Sequence, residues 1–327
     1  MLFLLGAGFN IDANHEAGSF RNGYYGTGID CGYPLVSDVL KLCFGRDDLP
    51  KGKSVEDLFS EALQKGDLGP MEKLVERLME ADYYIASKLA ASETSNSYQR
   101  FFEKFNDAQI LTYNYDSLPE IFLARNGRWS PEDGYGIPVA TELTFGLEPI
   151  GTKSSSLVIH LHGSACVYSS EFEIIGSPPG GMAQLVPREK PLYAFDADAL
   201  SPCFTRYRRM MSRTGHVRVE ERVLAPIPDK SKGLDEPFIR QSYATALPLV
   251  RQLGTLAAIG YSFNHYDRLS YDRILEALGQ SKERTLFIVS PQASELAKRI
   301  SEEYSDLCVR PVERTFKGWA TDSFRMD

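Results

Sequence analysis

The sequence predicts a doubly wound parallel α/β sheet that carries a mostly helical insertion and a second, mixed insertion. Three observations lead there. Short apolar runs recur along the chain, each stops at small or polar residues, and helical patterns lie between them. Runs that are apolar throughout, without alternation, mark strands buried on both faces, as in parallel sheets. Strands alternating with helices build such a sheet through crossover connections.

The first run is Leu2–Leu5, ending at Gly6. Ala108–Thr112 leads to Asn114, and Leu157–Leu161 leads to His162. Leu256–Ile259 stops at Gly260, Leu286–Val289 stops at Ser290, and Leu307–Val309 is a weaker sixth candidate. Among the helices, Ser54 followed by Glu56 and Asp57 reads as a capped start. Gly69-Pro70 opens a segment with Met71, Leu74, Val75, Leu78 and Met79 on one face. Tyr271–Leu278 and Ser294–Ile300 fit late crossover helices. The expected core is Rossmann-like and comprises residues 1–34, 107–163 and 251–327. Residues 35–106 form the helical insertion, and residues 164–250 the mixed α/β insertion.

Composition narrows the function. The chain has 327 residues, 43% hydrophobic and 24% charged, as in ordinary globular proteins. Its net charge is −8, which disfavours nonspecific nucleic-acid binding, and none is expected. No run approaches the roughly 20 apolar residues that span a bilayer, so no membrane partner is expected. The apolar Met1–Leu5 lacks a basic leader and is too short for a signal peptide. Cys31, Cys43, Cys166, Cys203 and Cys308 show neither zinc-ribbon spacing nor a disulfide framework, which suits a reducing cytoplasm.

In open α/β sheets, ligands bind outside the carboxyl ends of the strands. The residues there are Gly6-Ala7-Gly8-Phe9-Asn10, Asn114-Tyr115-Asp116, His162-Gly163-Ser164 and Ser262-Phe263-Asn264. Together they suit one nucleotide-sized crevice. Singly, each has a plainer reading. Gly6-Ala7-Gly8 fits a tight turn as well as a phosphate loop, because Ile11 stands where the dinucleotide fingerprint needs its third glycine. Asn114 and Asp116 fit capping or an Asx turn. A lone histidine is more often structural, and His160, two residues from His162 and facing the other way, is read as that case. The arginines Arg206, Arg208, Arg209, Arg213, Arg218 and Arg222 fit phosphate or a partner, but the acidic balance favours a solvated face or subunit salt bridges.

Their order carries more than any one of them. Gly-Ala-Gly after the first strand, Thr112–Asp116, His162-Gly163 and Gly260-Tyr261-Ser262 with Asp267 follow one another as in the sirtuin (Sir2) superfamily. The chain resembles most closely the bacterial Sir2-like NADase domains of antiphage defence, and Gly32-Tyr33-Pro34 is similar to the family's Gly-x-Pro element. The resemblance covers the sheet motifs from Met1 to about Pro291. It implies a sirtuin-type fold in which the 164–250 insertion replaces the zinc ribbon.

The resemblance also implies roles. His162 becomes the general base at a ribose hydroxyl or water, and Asn114 holds the ribose and the attacking water. Asp116 lies near the nicotinamide carboxamide. Gly6, Ala7 and Gly8 approach the pyrophosphate, with Asn10 beside them and Gly260, Ser262 and Asn264 on the adenosine side. Asn10 stands where the family has serine, and the segment bearing His15, Arg21, Asn22, Tyr24 and Tyr25 fits either a lid or an inert loop.

The expectation that follows is an NAD glycohydrolase that uses NAD as substrate, with no metal. It is expected to be a defence effector held in check by homo-oligomerisation or a partner protein. A protein deacylase is the alternative, weakened by the missing zinc ribbon. A non-catalytic NAD or ADP-ribose module is a third reading, and a dehydrogenase, lacking its fingerprint, the poorest.

Overall fold

A computed structural model describes residues 1–18, 32–141, 153–175, 184–195, 220–223, 227, 230–231 and 233–326. Its strands are β1 (Leu2–Leu5), β2 (Gln109–Thr112), β3 (Ala140–Thr141), β4 (Leu157–His160), β5 (Gly163–Ile175) and β6 (Gln184–Phe195), then β7 (Glu220–Val223), β8 (Thr255–Ile259), β9 (Thr285–Ser290) and β10 (Cys308–Glu313). Six of them form one parallel sheet in the order β10-β9-β8-β1-β2-β4. The chain therefore starts at the centre, winds outward to β4, and returns to wind the other way. This is the strand order of dinucleotide-binding α/β folds, and its reversal falls between β1 and β8.

Five of the six expected strands sit where the apolar runs predict them. The sixth runs longer, from Cys308 to Glu313, because its pairing with β9 continues through Pro311. An edge strand is exposed at most positions and tolerates proline, so its residues need not be apolar. Leu2 to Leu5, by contrast, are fully buried. Each such side chain contributes about 1.5–3 kcal/mol of transfer free energy.

The described helices are α1 (Ala7–Glu16), α2 (Val36–Phe44), α3 (Val55–Gln64), α4 (Gly69–Ala81), α5 (Ser87–Ala91), α6 (Ser97–Lys104), α7 (Leu118–Arg125) and the single turn α8 (Pro131–Gly134). They continue as α9 (Pro237–Leu253), α10 (Arg268–Gly279), α11 (Ala293–Glu303) and α12 (Phe316–Thr321). Ser54 caps α3, as expected, in a reciprocal arrangement with Asp57. Proline stands in the first turn of α4, whose Leu74, Val75 and Leu78 are buried.

One face of the sheet is closed by an aromatic cluster. Phe3 and Phe9 meet Phe101, with ring centroids 5.0 and 5.8 Å apart, and Phe316 packs on Phe9 at 4.5 Å. Such edge-to-face pairs add about 0.5–1.5 kcal/mol each beyond their buried area. The helical insertion thus shares a core with α1 and α12.

The second insertion contains a four-stranded sheet in the order β3-β6-β5-β7. It returns to the main sheet earlier than residue 250, because α9 begins at Pro237 and packs against β4, β8 and α10 as a crossover helix. Arg21, Asn22, Tyr24, Tyr25 and the arginines 206–218 lie outside the described residues, as do Cys31 and Cys203. Cys43 and Cys166 are buried, and Cys308 is exposed.

Candidate functional site

At the reversal point, the loops after β1 and β8 touch backbone to backbone. The Gly6 amide donates to the Ile259 carbonyl at 3.0 Å, and the Gly8 amide to the Gly260 carbonyl at 2.8 Å. A Cβ on Gly6 would come within 2.7 Å of Tyr261 Cα, and one on Gly8 within 2.8 Å of Gly260 Cα. Gly260 has φ +62, and a Cβ there would come within 2.3 Å of the Phe9 nitrogen. All three glycines are therefore required by the chain's own packing. That contact places the start of α1, with exposed Ala7, beside the loop after β8. Two of the first-turn amides there are already engaged, Gly8 with the Gly260 carbonyl and Phe9 with the Gly6 carbonyl.

A polar cluster lies directly beside it. Asn10 Nδ2 donates to Asp116 Oδ2 at 2.5 Å, and Asn114 Nδ2 donates to Asn10 Oδ1 at 3.2 Å and to the Gly6 carbonyl at 3.1 Å. Asp116 Oδ1 also accepts from the Leu118 amide. Asn10 of α1 thus ties that helix to the loop after β2. Asn114 is half-buried, and its Oδ1 accepts no hydrogen bond from the described residues.

Behind this cluster sit more acids than the sequence reading foresaw. Asp82 opens a π-helical turn, Asp82–Ala86, and accepts from the Tyr33 hydroxyl and the Ser117 amide. Tyr33 of the Gly-x-Pro element is itself tied to α1 by two bonds with the Asn14 amide group, at 2.7 and 2.8 Å. Burial, then the Asp116 carboxylate, holds Asp82 well above the usual carboxylate range. Burial pushes Asp116 up to about 6, against the bonds from Leu118 and Asn10. His160 bridges this region as a structural residue. Its Nε2 meets Glu120 Oε1 at 2.5 Å, and its Nδ1 the Asn114 carbonyl at 3.0 Å. Burial disfavours its charged form, but Glu120 outweighs that and raises its pKa.

His162 lies on the other side of the 112–116 loop. Its ring centroid is 4.6 Å from that of Tyr113 and 6.5 Å from that of Tyr115, the two residues flanking Asn114. Its Nε2 is 3.1 Å from Ser270 Oγ in α10. Burial, then the positive charge of Lys230, holds the imidazole well below its ordinary pKa, so the ring is neutral at physiological pH. Tyr261 stacks on Tyr113 at 4.6 Å. Among the described residues, no hydrogen bond or ring contact joins His162 to Asn114 directly.

The structure thus brings Gly6, Asn10, Asn114 and Asp116 into one cluster and Gly6, Gly8 and Gly260 into another, with His162 across the loop. Ser262 is exposed, and its carbonyl accepts from Arg299. Asn264 caps the short 3₁₀ turn His265–Asp267 by accepting from the Tyr266 amide. His15 is exposed near the end of α1.

Sequence reasoning missed Asp82, Glu120, Lys230, Tyr243 and Ser270. Glu120 carried a signal, an acid inside the apolar Leu118–Leu123, and Lys230 carried none.

Among the described residues, no group of three or more His, Cys, Asp or Glu is arranged to hold a metal ion, and no helix is long and apolar enough to cross a membrane. Compared with known proteins, the chain matches no family model and no curated protein.

Proposed function

We propose that this chain hydrolyses NAD at the nicotinamide–ribose bond, releasing nicotinamide and ADP-ribose. The observation that carries the reading is the set of groups at the reversal point. A glycine-lined contact between the loops after β1 and β8 lies next to an asparagine whose carbonyl oxygen accepts no hydrogen bond from the described residues, and a neutral imidazole stands across one loop. The order of motifs, which resembles Sir2-like NADases, selects NAD among the nucleotides such a crevice suits.

The chemistry asks little of general acids. The C–N bond breaks heterolytically, its electron pair passes to the nicotinamide nitrogen, and the ring leaves neutral. The barrier lies in the oxocarbenium-like sugar, as in other glycoside cleavage. Asn114 accepts a hydrogen bond from the attacking water through Oδ1 while its Nδ2 stays anchored to Gly6 and Asn10. Water oxygen bonds to the anomeric carbon and its proton passes to His162, directly or through a ribose hydroxyl. For that, Nε2–H donates to Ser270 Oγ, which leaves Nδ1 as the accepting atom. Asp116 and Asn10 hold the nicotinamide end, and the pyrophosphate approaches the backbone at Ala7, between the amides of Gly6 and Gly8 that already donate to Ile259 and Gly260.

The resemblance supports a role as a defence effector, an enzyme that empties NAD calls for restraint by self-assembly or a partner protein, and the cysteine usage suits the cytoplasm. Product analysis by mass after mixing the protein with NAD, with and without an acetylated peptide, tests the reading. Peptide-independent release of nicotinamide and ADP-ribose is expected. Release that requires the peptide would make the chain a deacylase, and intact NAD bound to the protein would make it a binding module.

A further inference from the structure

Lys230 is a lysine with almost no exposure, the side chain retaining 7%. Buried lysines are rare unless paired, and this one is held by the Asp267 carboxylate, to which the Tyr261 hydroxyl also reaches. Asp267 immediately precedes α10, and three residues on, Ser270 meets His162 Nε2. Lys230 itself follows the four-stranded sheet, so the segment returning from the second insertion ends against the turn that supports the imidazole.

We propose that Lys230 is a positioning residue, clamping through Asp267 the turn from which α10 presents Ser270 to the imidazole of His162. This rests on the reading of His162 as the base. The clamp does two things. It fixes the first turn of α10, and with it the ring's tautomer and orientation through Ser270. It also sets a cation beside the imidazole, which opposes protonation of the ring. The other groups on the ring are Tyr113 and Tyr115 after β2; one step further out Tyr261 stacks on Tyr113, and Tyr243 of α9 stands by Ser270 and Tyr113. The carboxylate of the turn before α10, Asp267, is taken by Lys230.

The test is a histidine NMR titration of the full chain, run beside the pH profile of NAD cleavage. The chain has five histidines, and the His162 signal is assigned by its loss in His162→Ala. In the parent protein His162 stays neutral well below pH 6.5, the value of a free imidazole. Lys230→Met is expected to raise its midpoint by about one unit or more, a tenfold gain in proton affinity, and to move the acid limb of cleavage with it. Lys230→Arg keeps the charge and stays near the parent. Lys230→Met combined with Asp267→Asn leaves no unpaired buried charge and carries the same expectation if the single variant does not fold. A folded variant lacking Lys230 with an unmoved His162 midpoint overturns the proposal. A moved midpoint without NAD cleavage leaves the clamp standing and removes the NADase reading.

Discussion

The amide of Gly8 donates to the carbonyl of Gly260 at 2.8 Å, so the first loop of the chain and the loop after β8 are in direct backbone contact. Two halves of the sheet, more than 240 residues apart in the chain, meet there without a side chain between them. Whatever binds at the mouth of the crevice therefore meets two loops whose spacing the glycines set.

Replacing Gly260 by alanine tests that contact. The new Cβ would come within 2.3 Å of the Phe9 nitrogen, at a backbone conformation of φ +62. A clash against backbone is not relieved by rotating a side chain, so a loss of about 4 kcal/mol or more is expected, or no folded protein. Gly45→Ala is the control: φ is +63, but nothing lies within 4 Å, and the cost should be about 1 kcal/mol. Urea unfolding of both variants measures the difference.

Asp116 predicts a stability that falls between about pH 4 and 6. Burial pushes its carboxyl up to about 6, so over that window the folded chain binds more protons than the unfolded one. Stability is then highest at the acid side and declines as pH rises through the folded value. The shift amounts to about 3 kcal/mol. Asp116→Asn should flatten the slope by about this much in urea melts taken from pH 4 to 7. Asp82, also raised, acts in the same direction and remains in the variant.

Glu120→Ala removes the partner of a buried imidazole. Breaking such a pair costs about 3–5 kcal/mol, because His160 is left with Nε2 unmatched. The pKa of His160 is raised, so the pair's contribution is complete below about pH 6.5 and is lost as pH passes upward through the folded value. The gap between parent and variant, read by chemical unfolding, should therefore narrow at alkaline pH.

Asn114→Ala deletes the amide that spans Gly6 and Asn10. Loss of a group that orients the attacking water should lower the cleavage rate by about 100-fold. NAD affinity by calorimetry should change by only a few-fold. A variant that cleaves at the parent rate would place the water elsewhere.

Much of this was legible in the sequence because parallel strands must be apolar on both faces, which makes runs such as Leu2–Leu5 stand out. The polar residues that end them stand at the carboxyl ends of the strands, which is why the sequence reading turns to Asn114 and His162. The strand order could not be named, since it depends on which strands pair rather than on any residue. Ser270 sits one turn into an ordinary amphipathic helix, and Lys230 lies among Asp229, Ser231 and Lys232 like any surface lysine. Their importance comes from tertiary neighbours alone. In sequence Gly6-Ala7-Gly8 fits a tight turn as well as a phosphate loop, and the structure gives Gly6, Gly8 and Gly260 a role in packing the two loops together.

His162→Ala offers the most direct measurement, with nicotinamide release and NAD binding followed on the same folded sample. Cleavage should vanish while calorimetry still registers the dinucleotide at close to the parent affinity. Nicotinamide release at an undiminished rate from that variant would contradict the assignment of the base, and with it the reaction proposed for this crevice.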